Sequence, residues 1–315
     1  MIDFRKIHKL IIDNRRIKKA WLNGTLVWDV ARLNPVVRIT VVGDGNNPVR
    51  VISSQSDMKD AYFEAFSAIY YIKNGEKNYL WKTGGSTYPR TITFNDNNEH
   101  TVYFVLQKFD FKTMTDNVIG TPVYGIPTWC FGYLNIEAVE WDNGLQVIGN
   151  SAFGHTTITK GLPQMPTGIL YVGHDSLGIT SNVKSANFVF PVKTFLGKYL
   201  MKDMGANTMP DYVKIDGDLL DTGVDSWFNY YSTFSGYDNK NIIFGEDVTK
   251  LRDYIFSWVK ATLYFESAVP PTLPTNIGYN QVIKVYVPQG KLNEYVNAYG
   301  SVFDPSIISE GRYQY

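Results

Sequence analysis

One pattern constrains this chain more than any other: the run Val147-Ile148-Gly149-Asn150-Ser151-Ala152-Phe153 and its recurrence along the second half of the sequence. With Phe153 as the anchor, the equivalent positions are Phe131, Leu177, Leu200, Phe228 and Phe256, and successive anchors are separated by 22, 24, 23, 28 and 28 residues. Between the anchors lie short runs of β-branched and aromatic residues that read as strands. They are Glu137–Trp141, Asn187–Phe190, Tyr212–Ile215, Asn241–Phe244, Ala261–Phe265 and Val282–Val287. A turn, a core-filling anchor and a strand in each period describe a solenoid, in which no unit buries its apolar face alone and neighbours must stack.

The same residues carry a resemblance. Val147 to Phe153 matches almost fully, through its I-G-x-x-A-F part, the V-x-x-I-G-x-x-A-F signature of the BspA-like leucine-rich repeats found in bacterial and phage surface proteins. Ala268–Leu273, Ile283–Pro288 and Leu292–Tyr295 resemble the closing unit of that family, so the resemblance spans about 126–300. It departs between 168 and 235, where Asp175-Ser176-Leu177 and Lys198-Tyr199-Leu200 replace the small residue and Phe. The resemblance implies a leucine-rich-repeat fold and a role in recognition or adhesion, and transfers no catalytic residue.

Ahead of the repeats, residues 36–125 alternate in β fashion. Val36–Val42 and Val49–Ile52 flank a Gly43–Pro48 turn, and further strands are expected at 67–72, 78–82, 90–94 and 101–107. Short strands with polar turns at this spacing suggest a small β-sandwich-like domain. Gly43-Asp44-Gly45 reads as a turn, since no helix and no Lys-Ser/Thr pair follows it as a phosphate loop requires. Asp57–Ala65 fits either a helical turn or an insertion.

Residues 1–35 form an arm. Phe4, Ile7, Leu10 and Ile11 make an amphipathic stripe over 3–13 with Asp3 near its start, which predicts a helix. Trp21-Leu22-Asn23-Gly24-Thr25-Leu26-Val27-Trp28 predicts a hairpin, because Asn-Gly tolerates positive φ at both turn positions. This hairpin is similar to amino-terminal segments of phage tail, baseplate and fibre proteins. So small a segment cannot complete its own core. It either packs on residues 36–125 or docks through Phe4, Ile7, Leu10, Ile11, Trp21 and Trp28 on another protein. The fold class expected is therefore mainly β: a helix-plus-hairpin arm (1–35), a small β-sandwich-like domain (36–125), a leucine-rich-repeat solenoid (126–300) and a tail (301–315).

Charge narrows the partners. Formal net charge is zero, but Lys and Arg number eight against three acids in 1–35, nine against nine in 36–125, and 13 against 18 in 126–315. An acidic body disfavours nucleic acid, which needs a basic face, and Arg15-Arg16-Ile17-Lys18-Lys19 reads as a solvated cluster. The apolar run Leu10–Ile12 is far short of a signal peptide, and no stretch approaches the ~18 residues of a membrane span. A recognition repeat without an export signal reaches the outside most simply as part of a virus particle.

No motif for catalysis is present. Cys130 is the only cysteine, and His8, His100, His155 and His174 lie far apart without metal-ligand spacing. His155 and His174 fall at turn positions, where a solvated or locally bonded side chain is expected. Asp216/Asp218 and Asp221/Asp225 invite a glycosidase or calcium reading, but loop acids without a cleft or a terminal Glu supply neither. The stretch Asp225–Tyr237 interleaves aromatics with Ser, Asn and Gly, the composition of adaptable binding surfaces. Trp227, Tyr230 and Tyr237 are its candidate recognition residues. The sequence thus points to a non-enzymatic phage virion protein of the fibre, tail or capsid-decorating type, with no cofactor or metal and no membrane insertion, open to homo-oligomerisation. Its expected partners are other virion proteins at residues 1–30 and a host surface glycan or protein at the repeats. The alternatives are a bacterial surface adhesin and a polysaccharide depolymerase.

Overall fold

A computed structural model describes residues 34–53, 65–83, 90–111, 122–191, 194–197, 199–201, 204, 207–218, 233–234, 237–277 and 280–315, together with the backbone of four strands before residue 30. Among those four, Lys19–Leu22 and Thr25–Asp29 pair antiparallel around Asn23-Gly24, with Ala20 opposite Trp28. Ile11–Ile12 pairs with Arg15–Arg16 as a short strand, so the helix expected over 3–13 does not run through its last residues. Adjacent β-branched side chains favour the extended backbone there. Phe4, Ile7 and Leu10 lie outside the described residues.

The chain from Pro35 onward builds an antiparallel sheet of five strands. Their order is Ala138–Trp141, Val36–Val42, Glu99–Leu106, Phe66–Lys73 and Glu76–Lys82. Alternation decides its faces: Val37, Ile39, Val41, Val102, Phe104 and Leu106 are buried, while Arg38 points out and meets the Asp142 carboxylate at 3.0 Å. A two-stranded ladder of Pro48–Arg50 with Thr91–Thr93 lies beside it. The arm joins this sheet at Pro35, whose carbonyl accepts from the Leu106 N–H at 2.9 Å.

Ala138–Trp141 lies beyond the expected boundary at 125/126. It was expected in the parallel stack, yet it pairs antiparallel with Val36–Val42, Val139 opposite Ile39. The next coil explains this. Its equivalent segment is Gly161-Leu162-Pro163-Gln164-Met165-Pro166, in which two prolines cannot donate to a ladder. The strand therefore finds its partner in the amino-terminal sheet, and the Trp141 indole N–H reaches back to the Gln164 carbonyl at 2.7 Å.

From residue 123 the chain winds into a β-solenoid of about seven turns. Its early coils carry two short parallel ladders. One stacks Val123–Ile126, Val147–Ile148, Tyr171–Val172 and Phe195–Leu196; the other stacks Asn135–Ile136, Thr156–Ile158 and Ile179–Thr180. Its late coils carry one longer ladder through Phe188–Phe190, Tyr212–Gly217, Asn241–Asp247, Thr262–Phe265, Lys284–Val287 and Ile308–Glu310. The glycine that follows an aliphatic residue in each early coil, as in Ile148-Gly149, Val172-Gly173 and Leu196-Gly197, has a mechanical cause. A Cβ on Gly149, Gly173 or Gly197 would sit 2.3 to 2.6 Å from backbone nitrogen or side-chain oxygen of the preceding coil.

The anchors Phe131, Phe153, Leu177, Leu200 and Phe256 are all fully buried, and Phe228 lies outside the described residues. Each anchor sits in a tight turn with left-handed residues beside it. Trp129 and Tyr133 flank Phe131, Ser151 and His155 flank Phe153, and Tyr254 and Trp258 flank Phe256, all with φ between 49° and 59°. Left-handed non-glycine residues cost on the order of 1–3 kcal/mol each. Rungs between turns offset that strain: Phe131 N–H donates to Ala152 O at 2.8 Å and Phe153 N–H to Ser176 O at 3.0 Å. A ring series Phe66–Phe104–Phe131–Phe153, with centroids 5.0 to 5.4 Å apart, joins the sheet and the solenoid into one core.

The far end closes with helix Leu292–Tyr299, whose Tyr295 and Tyr299 hydroxyls donate to the carbonyls of Ser267 and Pro271. Gly300 ends that helix in ordinary right-handed backbone (φ −64°), and its need is space, because a Cβ there would lie 2.6 Å from the Val296 carbonyl oxygen.

Candidate functional site

The solenoid presents two faces rich in aromatic residues, and they differ in what covers them. The first lies at the junction with the amino-terminal sheet. The turn around Phe131 throws Trp129 and Tyr133 outward, and the rung above adds His155. Trp129 and Tyr133 rings lie parallel (6°) with centroids 5.6 Å apart, and Tyr133 stacks on His155 at 4.8 Å. Trp129 can lie flat because Gly132 and Gly154 are beneath it; a Cβ on Gly132 would meet the indole at 2.6 Å. Tyr133 is 48% exposed.

Two residues further along each strand the row changes to polar groups. Asn135 sits opposite Thr157, and Thr157 opposite Thr180, with the two threonine hydroxyls 3.4 Å apart. Two residues further again, the Thr159 hydroxyl donates to the Glu137 carboxylate at 3.2 Å. The Glu137 N–H donates to the Thr40 carbonyl at 2.7 Å, so this row is fixed to the amino-terminal sheet. The Val42–Arg50 turn stands over the face and leaves a groove of about 440 Å³ between them. Arg50 and Asp44 bring one positive and one negative charge to its outer wall.

The second face is the outside of the late ladder. Tyr264 and Tyr286 stack at 4.9 Å, and the carboxy-terminal residues fold back over them. Gly311 passes so close to Tyr286 that a Cβ would meet the ring at 2.5 Å. Tyr313 packs on Tyr212 and Tyr264 at 5.0 and 5.2 Å, and the Tyr315 hydroxyl donates to Glu266 at 2.6 Å. Burial and the bond to Glu266 push the Tyr315 hydroxyl up to about 12. Lys214 bridges Asp216 at 3.1 Å and Glu266 at 2.9 Å; burial works against its charge, but those bonds hold it well above the ordinary lysine value. This face is filled by the chain's own tail.

The residues expected to recognise a surface fare differently. Trp227 and Tyr230 lie outside the described residues. Tyr237 is fully buried, with its hydroxyl donating to the Pro210 carbonyl at 3.1 Å, so it belongs to the core and not to a recognition surface. The acids resolve into structural roles. Asp216 is held by Lys214, and Asp218 accepts from the Thr249 and Lys250 N–H groups and from the Thr249 hydroxyl at 2.6 to 2.9 Å. Burial alone would raise the Asp218 carboxyl, but these bonds bring it below the usual carboxylate range. Asp221 and Asp225 lie outside the described residues.

His155 is exposed, as its turn position suggested, whereas His174 is buried beside Phe195. Cys130 is buried, and burial pushes its thiol up, which disfavours the reactive thiolate. Among the described residues no group of three or more His, Cys, Asp or Glu is placed to hold a metal ion, and no helix is long and apolar enough to cross a membrane.

The open face escaped a reading by composition because Trp129, Tyr133 and His155 are scattered over two repeats. The usable sign was the aromatic pair spaced four residues apart around an anchor, Trp129/Tyr133 about Phe131, which recurs as Tyr254/Trp258 about Phe256. The fold thus defines the chain as a parallel β-solenoid protein that shares a core with an antiparallel sheet. No family model, no curated protein and no solved structure matches it.

Proposed function

We propose that this chain is a non-enzymatic recognition protein of the BspA-like leucine-rich-repeat type, carried on a bacteriophage particle. Residues 1–30 dock it on other virion proteins, and the solenoid meets the host surface. The observation that supports this most is the junction face, where an aromatic row with Tyr133 exposed and polar rows hang on backbone ladders at fixed spacing. Such a surface needs no reorganisation to meet a partner, which lowers the cost of binding. The docking half of the proposal is supported by composition: residues 1–30 carry seven basic against three acidic residues, two Trp and an apolar stripe. Docking of a segment this short gains from several copies on one particle.

The test is deletion of residues 1–30. The remaining chain is expected to keep its melting temperature and circular dichroism and to be missing from purified particles. Particles that carry the truncated chain at normal copy number refute the docking role. A bacterial surface adhesin would use the same junction face, but its retention on a cell would survive in the absence of any particle.

A further inference from the structure

We infer that the junction face binds neutral sugar units of a surface polysaccharide. The inference rests on the recognition reading above and names its ligand class. Pyranose rings have a face of C–H groups and a rim of hydroxyls. Recognition of such a ring requires a flat aromatic surface beside donors and acceptors held at the height of the rim, and the C–H groups make weak contacts with a π face. The junction face supplies both from one set of ladders. Tyr133, between Trp129 and His155, gives the aromatic part. Asn135, Thr157, Thr159 and Glu137, on the same and the neighbouring strand, give amide, hydroxyl and carboxylate groups beside it.

The groove of about 440 Å³ under the Val42–Arg50 turn is within the ~300–1,000 Å³ range of small-ligand sites and is of a size for one or two sugar units. Charge selects among ligands. Glu137 and Asp44 set two carboxylates against one guanidinium, Arg50, so phosphate, sulfate and uronate groups are disfavoured. A partner helix or apolar strand is also a poor match, because the rows beyond Tyr133 are hydroxyls and amides that an apolar surface would bury without partners. A linear polysaccharide, by contrast, can extend along the solenoid axis, where Asn135, Thr157 and Thr180 repeat the polar row from coil to coil.

The test uses the full chain in native gels containing dextran, mannan or galactomannan, and on immobilised bacterial envelopes left intact, oxidised with periodate, or treated with protease. Expected results are retardation by at least one of the three neutral polymers and retention on envelopes that periodate abolishes and protease spares. Tyr133→Ala and Glu137→Gln should each weaken retardation by about tenfold or more, with melting temperature unchanged. Trp258→Ala, an exposed aromatic on a distant coil, should leave retardation as it was. Retention that survives periodate and falls with protease overturns the sugar inference and leaves surface recognition standing. Retention on no envelope overturns both. Equal retardation of the full chain and Tyr133→Ala places the sugar elsewhere and overturns the assignment of this face.

Discussion

Two aromatic faces on one solenoid have opposite fates. At the amino-terminal end Trp129, Tyr133 and His155 stack in a row that faces solvent beside a groove. At the carboxy-terminal end Tyr264 and Tyr286 stack on the same face that Tyr212 lines two strands away, and Tyr313 and Tyr315 lie across them. The local chemistry is similar, so composition alone does not distinguish them. The difference lies in what the chain places on top. A terminal repeat of a solenoid must have its open surface covered. The late coils meet that need with helix Leu292–Tyr299, the Ile308–Glu310 strand and the tail. The early coils meet it with the antiparallel sheet, which covers the end of the core and, among the described residues, leaves Tyr133 exposed at the turn edge. Among the described residues, the row that is not used for closure leaves the Tyr133 ring exposed to a ligand.

The comparison can be broken at several points. The largest effect belongs to neither row but to the core beneath the open one. Phe153→Ala removes a fully buried ring stacked on Phe131 and should cost about 3–5 kcal/mol, read as a fall in melting temperature or denaturation midpoint. A negligible change would show that the turn anchors do not carry the stack. Next is the closed row. Tyr264→Ala loses contacts to Tyr286 and Tyr313 and should cost about 1–3 kcal/mol by the same measurement. Tyr315, which packs on Tyr212 and Tyr313 of the same face, adds a pH signature. Its hydroxyl titrates at about 12, above the ordinary tyrosine value of 10.0, so its contribution is whole below about pH 10 and is lost as pH rises through the folded value. Alkaline melting of the wild type and Tyr315→Phe should therefore differ in shape, because the variant lacks this titration.

A smaller effect lies at the Asp218 cap. Its folded value is depressed below 3.8, so the stabilisation is complete above that ordinary value and disappears as pH falls through the folded one. The melting-temperature gap between wild type and Asp218→Ala should be open at neutral pH and narrow as pH falls below the ordinary carboxylate value. A gap that stays constant with pH would mean the carboxylate charge plays no part in holding Thr249 and Lys250. Smallest of all is Tyr133→Ala, expected within about 0.5 kcal/mol of the wild type because an exposed ring supports little of the fold.

Much of this architecture was legible from residues. The strands expected at Asn241–Phe244 and Ala261–Phe265 are found at Asn241–Asp247 and Thr262–Phe265. Each is long enough to show a periodicity. The two-residue strands Val147–Ile148 and Tyr171–Val172 were not legible, because two residues have no alternation to read. The direction in which Ala138–Trp141 pairs was hidden for another reason: it depends on Pro163 and Pro166 one coil later, which remove its parallel neighbour. The candidate site was missed through composition. Asp225–Tyr237 is a longer aromatic run than Trp129–Tyr133, with six aromatics against three, yet Tyr237 turns inward to the Pro210 carbonyl, while left-handed backbone at Trp129 and Tyr133 turns theirs out.

The most direct test of the open and closed faces is a paired one: retention on bacterial envelopes and melting temperature, both measured for Tyr133→Ala and Tyr264→Ala. If recognition belongs to the uncovered row, Tyr133→Ala loses retention and melts as the wild type does, while Tyr264→Ala melts earlier and is retained at temperatures where it is folded. If Tyr264→Ala loses retention while still folded and Tyr133→Ala keeps it, the recognition face is the one beneath the tail, and the assignment made here is contradicted.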